Sequence, residues 1–255
     1  VRWQRVIANI LPTATMLDCP YRFFVKNVLG IQELDEADDA LDKSDYGTAL
    51  HRILKTFHDS TPPPERDAAL ARLQEISTAE FSALPAWTAA AWRNRWEKIQ
   101  PAYVDAWLNR AAQGWHYQSG ETLFEMPFSV AGLGEITLHG RIDRVDRKGD
   151  AHAVIDYKTS AAQGLKKKLK DPAEAVQLPF YAWLADAAAA YLPIDETPVI
   201  ALELDGETDV DAIGRRLPQL LEAVAAGAAL PASGIDAVCQ YCEARGLCRK
   251  GMWHE

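Results

Sequence analysis

The chain has 255 residues, 48% hydrophobic and 25% charged, which is enough apolar material for one large packed domain and too much for a disordered chain. A formal net charge of −9 excludes a protein that coats nucleic acid through an evenly basic surface. An enzyme that gathers carboxylates around a cation can carry that balance and still present local basic patches.

No apolar run reaches the roughly 18 residues of a membrane span. The opening Val1-Arg2-Trp3-Gln4-Arg5 has neither an initiator Met nor a signal-peptide pattern. The expectation is a cytoplasmic, single-domain fragment of a longer protein, with residues 1–255 as one unit.

In chain order, residues 13–30 read as a short helix entered through Thr13 or Thr15. Residues 33–45 form an acidic run expected as a solvated loop. Over 45–58, Leu50, Ile53, Leu54 and Phe57 recur at helical spacing. Thr61-Pro62-Pro63-Pro64 breaks the chain before two helical stretches, 65–83 and 86–112. Trp92, Trp96, Ile99, Tyr103 and Trp107 form an apolar stripe on the second, which Pro101 should kink or split. Residues 59–121 are thus expected as a mostly helical insertion.

The period then shortens. Segments 122–130, 135–143 and 151–158 read as an antiparallel three-strand meander separated by Gly132/Gly134 and Gly149-Asp150. Residues 172–191 return to helix, 197–204 read as a buried strand, 209–227 as a helix, and 235–255 as a Cys-rich tail. This order describes an α/β sandwich around one central mixed sheet.

The chemistry concentrates in Gly140-Arg141-Ile142-Asp143-Arg144-Val145-Asp146 and Val154-Ile155-Asp156-Tyr157-Lys158-Thr159. Asp156 and Lys158, two apart on a strand, project to one face, and a hairpin brings Asp143 beside Asp156. Two neighbouring carboxylates repel unless a cation sits between them, and hard cations such as Mg²⁺ take such oxygens. A metal there activates water and stabilises charge on a phosphoryl oxygen. Lys158 is placed to hold that water or neutralise the phosphate, and the Tyr157 carbonyl to offer a further oxygen. Glu125, on the first strand, is a further carboxylate able to reach the metal.

These segments, with Gln177-Leu178-Pro179-Phe180-Tyr181-Ala182-Trp183-Leu184 after them and Tyr46-Gly47-Thr48-Ala49-Leu50-His51-Arg52-Ile53-Leu54 before them, resemble the RecB-type branch of the PD-(D/E)XK nucleases, in the family's order and over most of the chain. The resemblance implies a restriction-endonuclease-like core, a mixed sheet flanked by helices, with a helical insertion. It implies His51, Asp143, Asp156 and the Tyr157 carbonyl as ligands of Mg²⁺ or Mn²⁺, Lys158 as the catalytic lysine, and Gln177 and Tyr181, one helical turn apart, facing the site. Ile142 stands where the Pro of the family's name would be, as this branch commonly has it.

Four cysteines remain: Cys19, then Cys239, Cys242 and Cys248 as Cys-x2-Cys-x5-Cys. Inside a cell such a set points to metal or cluster ligation rather than disulfides, and the spacing leaves zinc and iron–sulfur both open. Here too there is a resemblance, to the [4Fe–4S] staple of AddB-type nucleases and of CRISPR-associated RecB-like exonucleases. It implies a cluster that ties the chain ends together.

Lys166-Lys167-Lys168-Leu169-Lys170, expected in a loop after the Asp-x-Lys strand, offers a basic patch for phosphates, with Arg52 and Lys55 flanking His51. The resemblance implies a DNA exonuclease in end processing and recombinational repair. Its strand would come from helicase domains or a subunit of an AddAB- or RecBCD-like complex, with no membrane partner. The rivals are a stand-alone exonuclease of the same branch and a catalytically idle, cluster-bearing module that binds DNA ends.

Overall fold

A computed structural model describes residues 13–31, 43–170, 176–204, 207–240, 242–248 and 250. Most of the expected acidic loop, residues 32–42, lies outside the described residues; Asp45 stands in the first turn of the following helix.

The N-terminal segment forms two short helices, α1 (Thr13–Asp18) and α2 (Pro20–Phe23), then a π-helical turn at Phe24–Val28. Helix α3 (Lys43–Asp59) forms because its apolar residues fall on one stripe: Leu50, Ile53, Leu54 and Phe57 are fully buried. The segment that follows is helical, α4 (Arg66–Ser82), α5 (Ala86–Glu97) and α6 (Gln100–Ala112). Pro101 splits the last two, taking a first-turn position where its missing N–H costs nothing. Of the aromatic stripe, Trp96, Ile99 and Tyr103 are buried, and Trp92 and Trp107 pack against the same core.

The meander is present and longer than expected: β1 (His116–Val130), β2 (Gly134–Lys148) and β3 (Ala151–Lys158). Residues 116–121 therefore belong to the sheet, not to the helical insertion. Helix α7 (Ala162–Leu169) carries the lysine run expected as loop, because buried Leu165 anchors an amphipathic turn.

Of the expected helix 172–191, residues 172–175 lie outside the described residues, and the rest is two elements. Helix α8 (Gln177–Ala185) stops at left-handed Asp186, and β4 (Ala188–Pro193) follows, parallel to β3. Alanine favours helix, but pairing beside a central strand overrides that preference, as burial of Ala189 through Pro193 shows. The expected strand 197–204 pairs only over β5 (Leu202–Glu203); Pro198 has no N–H for a ladder. Helix α9 (Glu207–Ala225) and two short helices, α10 (Asp236–Gln240) and α11 (Arg245–Cys248), complete the chain order.

The sheet runs β1-β2-β3-β4-β5, antiparallel except for β3–β4. The core formed by α3 to α6 embraces Ile155 and Tyr157 of β3, whereas Val154 packs in a separate cluster with Leu178 and Ala182 of α8. Among the described residues no helix is long and apolar enough to cross a membrane.

Candidate metal centre

Strand alternation places Tyr157 in the core formed by α3 to α6 and leaves Asp156 and Lys158 on the α8 side. Lys158 Nζ and Asp156 Oδ2 form an ion pair, but without hydrogen-bond alignment. Asp156 Oδ2 is thus buried with the Lys158 ammonium as counter-charge and no aligned hydrogen-bond donor, an oxygen suited to a cation.

Asp143 lies across the strand pair. Its Oδ2 accepts the Tyr157 backbone N–H at 2.8 Å. Burial, and next the Asp156 charge, hold the Asp143 carboxyl well above the usual carboxylate range, while Lys158 and the Tyr157 N–H pull it down. Two carboxyls in this position ionise together only when positive charge is supplied between them.

Helix α3 delivers His51 from the margin of its buried stripe. Its Nδ1 is 3.6 Å from Asp143 Oδ2 and 3.6 Å from Glu121 Oε1. Burial lowers the imidazole pKa, outweighing the nearby carboxylates and a hydrogen bond to the Tyr157 backbone. The ring is therefore held neutral, the form that ligates a metal.

Glu121 is the residue that sequence reasoning missed. Its φ of +51° is left-handed in mid-strand, a conformation that costs a non-glycine residue about 1–3 kcal/mol. Donor atoms of His51, Glu121 and Asp143 all lie within 4.8 Å of one another. Glu125 is exposed further along β1, opposite His139. The hairpin register carried the signal: Gly120 faces Arg144 and Thr122 faces Ile142, so Glu121 stands across from Asp143.

Gln177 and Tyr181 close the other side. Lys158 Nζ donates to Gln177 Oε1 at 3.4 Å, and Gln177 Nε2 donates to the Tyr181 hydroxyl oxygen at 3.2 Å. Because that oxygen already accepts, its own proton is free to point elsewhere. Burial pushes the Tyr181 pKa up to about 12, so the phenol stays protonated.

Beneath the centre lies a polar network. Arg144, buried, donates from Nε to Asp146 Oδ1 at 2.7 Å and from Nη2 to Asp146 Oδ2 at 3.0 Å; Arg110 pairs with the same carboxylate. His58 Nε2 meets the Tyr103 hydroxyl at 2.6 Å, and that hydroxyl meets the Tyr157 hydroxyl at 3.1 Å. Burial, and then the neighbouring Arg144, keep His58 uncharged. This network absorbs one histidine without a motif; His116 is exposed, and His152 is bonded to Gln118.

The four cysteines form no disulfide and line a separate cavity of about 430 Å³, together with Arg22, Gly234 and Lys250. The segment holding Arg22 and Lys26 also meets the C-terminal cysteine segment there, through ion pairs of both with Glu243.

A model of the PD-(D/E)XK nuclease superfamily matches residues 13–249. Uncharacterized proteins of Rickettsia bellii and Rickettsia felis are 23% and 22% identical over 159 and 162 residues; each match takes in 60% of this chain and 18% of the relative. The chain therefore spans under a fifth of those relatives' length. The crystal structure of SSO0001 aligns with a TM-score of 0.40 at 16% identity, over 92% of this chain and 83% of that one. With the family matched across nearly its whole length, on a mixed sheet flanked by helices, the chain belongs to the PD-(D/E)XK nuclease superfamily.

Proposed function

We propose that the chain is a Mg²⁺- or Mn²⁺-dependent deoxyribonuclease of the RecB type. The observation that carries this is the convergence of His51, Glu121 and Asp143 donors beside the buried Asp156 carboxylate and its ion-paired Lys158. A neutral imidazole with hard carboxylate oxygens fits a divalent cation of this class. His51, Asp143, Asp156, Glu121 and the Tyr157 carbonyl would hold it. When bound, the cation supplies an acidified water and a charge that stabilises a phosphoryl oxygen.

The chain's own groups do the rest. The Tyr157 N–H fixes one Asp143 oxygen and so orients the other. Gln177 steers the Lys158 ammonium, which is placed to neutralise a non-bridging phosphate oxygen or hold the attacking water. The Tyr181 phenol, its lone pair engaged by Gln177, is left as a donor toward the phosphate.

Cys19, Cys239, Cys242 and Cys248 are proposed as ligands of a [4Fe–4S] cluster. Support comes from four unpaired thiols around one cavity, with Arg22 and Lys250 to offset the charge of an anionic cluster. The proposed setting is exonucleolytic DNA end processing in the cytoplasm, with helicase domains or a partner subunit feeding the strand.

The test is cleavage of labelled single- and double-stranded DNA with Mg²⁺ by wild type, Asp156→Ala and Lys158→Ala, with iron and sulfide assayed on anaerobically purified protein. The proposal expects cleavage by wild type alone, and brown, iron-containing protein. Equal activity in all three would sink the enzyme reading; colourless protein with stoichiometric zinc would sink the cluster.

A further inference from the structure

The chain is acidic overall, yet residues 158–170 carry five lysines and no acidic residue. The lysines are not scattered. Lys158 belongs to the centre, and Lys166, Lys167 and Lys168 lie on α7, which starts four residues later, with Lys170 at its C-terminal cap. Leu165 pins α7 into the core beside β4 and β5, leaving Lys166, Lys167 and Lys170 exposed. Lys158 Nζ and Lys168 Nζ approach one and the same ring, Tyr191, at 5.5 and 6.0 Å from its centroid. Lys168 thus brings the basic turn of α7 to the same ring that Lys158 of β3 approaches.

We propose that α7 is a backbone-tracking surface that holds the sugar-phosphate chain of the DNA strand next to the scissile bond. The proposal rests on the nuclease reading and deepens it. The N-terminus of α7 is not the phosphate seat, because its Ala162 N–H already donates to the Glu196 carboxylate at 2.9 Å. The lysine side chains are. Lysine ammonium groups meet phosphates as point charges and read no sequence, which suits an enzyme that degrades whatever strand it is fed. The dimensions agree: Lys166 to Lys170 spans about 6 Å of helix axis, and a DNA strand advances about 3.4 Å per nucleotide, so about three successive phosphates lie beside the three exposed lysines. Asp18 sits in the field of Lys168, so that lysine is partly compensated and the exposed three carry the contact.

The lysines also suit the C-terminal end of a helix electrostatically. The experiment separates that role from DNA binding. Lys166→Gln, Lys167→Gln and Lys170→Gln are combined in the intact chain. Binding of a fluorescein-labelled oligothymidylate is followed by anisotropy from 50 to 200 mM KCl, with Ca²⁺ in place of Mg²⁺. Each single-strand phosphate contact adds about 0.7 to the slope of log affinity against log salt, so the variant should lose about 2 from the slope. Over that fourfold salt range wild type should then lose about 16-fold more affinity than the variant. Hydrolysis of bis(4-nitrophenyl) phosphate with Mn²⁺ should be equal in the two proteins, since it needs the metal centre alone.

Equal salt slopes in the two proteins, or no binding by wild type, would overturn the proposal. A wild type that binds with the expected slope but hydrolyses neither the ester nor DNA would leave α7 as a binding surface and overturn the nuclease reading instead.

Discussion

Asp146→Asn tests the network under the metal centre. In the folded chain Asp146 has no exposed surface and is the single carboxylate facing two guanidinium groups, Arg144 and Arg110, beside a histidine held neutral. An amide in its place keeps the shape and removes the carboxylate paired with Arg144 among the described residues, leaving that guanidinium buried without its counter-charge. Breaking a buried pair from one side costs about 3–5 kcal/mol, against a total stability of about 5–15 kcal/mol for a folded domain. With a urea dependence of about 3 kcal/mol per molar, the unfolding midpoint should fall by about 1–1.7 M. The assay is urea unfolding followed by circular dichroism at pH 7.5, without divalent metal. A second variant, Arg144→Met and Arg110→Met with Asp146→Leu, removes all three charges and should recover most of the loss, because apolar replacement of buried ionic groups is often near neutral. A midpoint within about 0.3 M of wild type for Asp146→Asn would refute the reasoning, since the network would then be too wet for its charges to matter.

Glu121→Gln should raise the Mg²⁺ concentration for half-maximal cleavage by at least about tenfold, read from rates across a metal titration. Glu121→Gly should be catalytically impaired yet more stable by about 1 kcal/mol, because glycine relieves the left-handed strain; unfolding midpoints check it. Asp143 has a raised carboxyl pKa, so in metal-free protein its ionisation costs stability that appears as pH rises above its ordinary value of 3.8 and grows through the raised pKa. Asp143→Asn should therefore melt higher than wild type in EDTA at pH 8, by an amount that shrinks toward pH 4, and should lose the stabilisation that Mn²⁺ gives wild type. Glu243 runs the opposite way. The Arg22 hydrogen bond leads in lowering its pKa from 4.5 to about 2, so its tie to Arg22 and Lys26 is fully present above pH 4.5 and is lost as pH falls through about 2. Hydrogen exchange over residues 20–28 should accelerate in that window in wild type and be insensitive to it in Glu243→Gln.

The parts of the centre legible in the sequence are those whose geometry is local. Two residues on one strand, Asp156 and Lys158, and two a helical turn apart, Gln177 and Tyr181, have their relative placement written in their spacing, and the structure brings them together with His51 and Asp143. Glu121 was illegible because its approach depends on a backbone outlier and on a register carried through nine pairs from the hairpin turn, in a segment read as helical insertion. Strand β4 was missed for a related reason: its run of alanines states a helix preference, and only its neighbour β3 makes it a strand. The lysine run was seen, but its amphipathic anchor, the one buried Leu165, is too small a signal to mark a helix.

The central claim is that His51, Glu121, Asp143 and Asp156 together hold a divalent cation, and calorimetric titration with Mn²⁺ tests it most directly. Wild type should bind with protons released, while Asp156→Asn and His51→Ala should each bind at least about tenfold more weakly. Unchanged affinity in both variants would contradict the account, because the cation would then sit somewhere else.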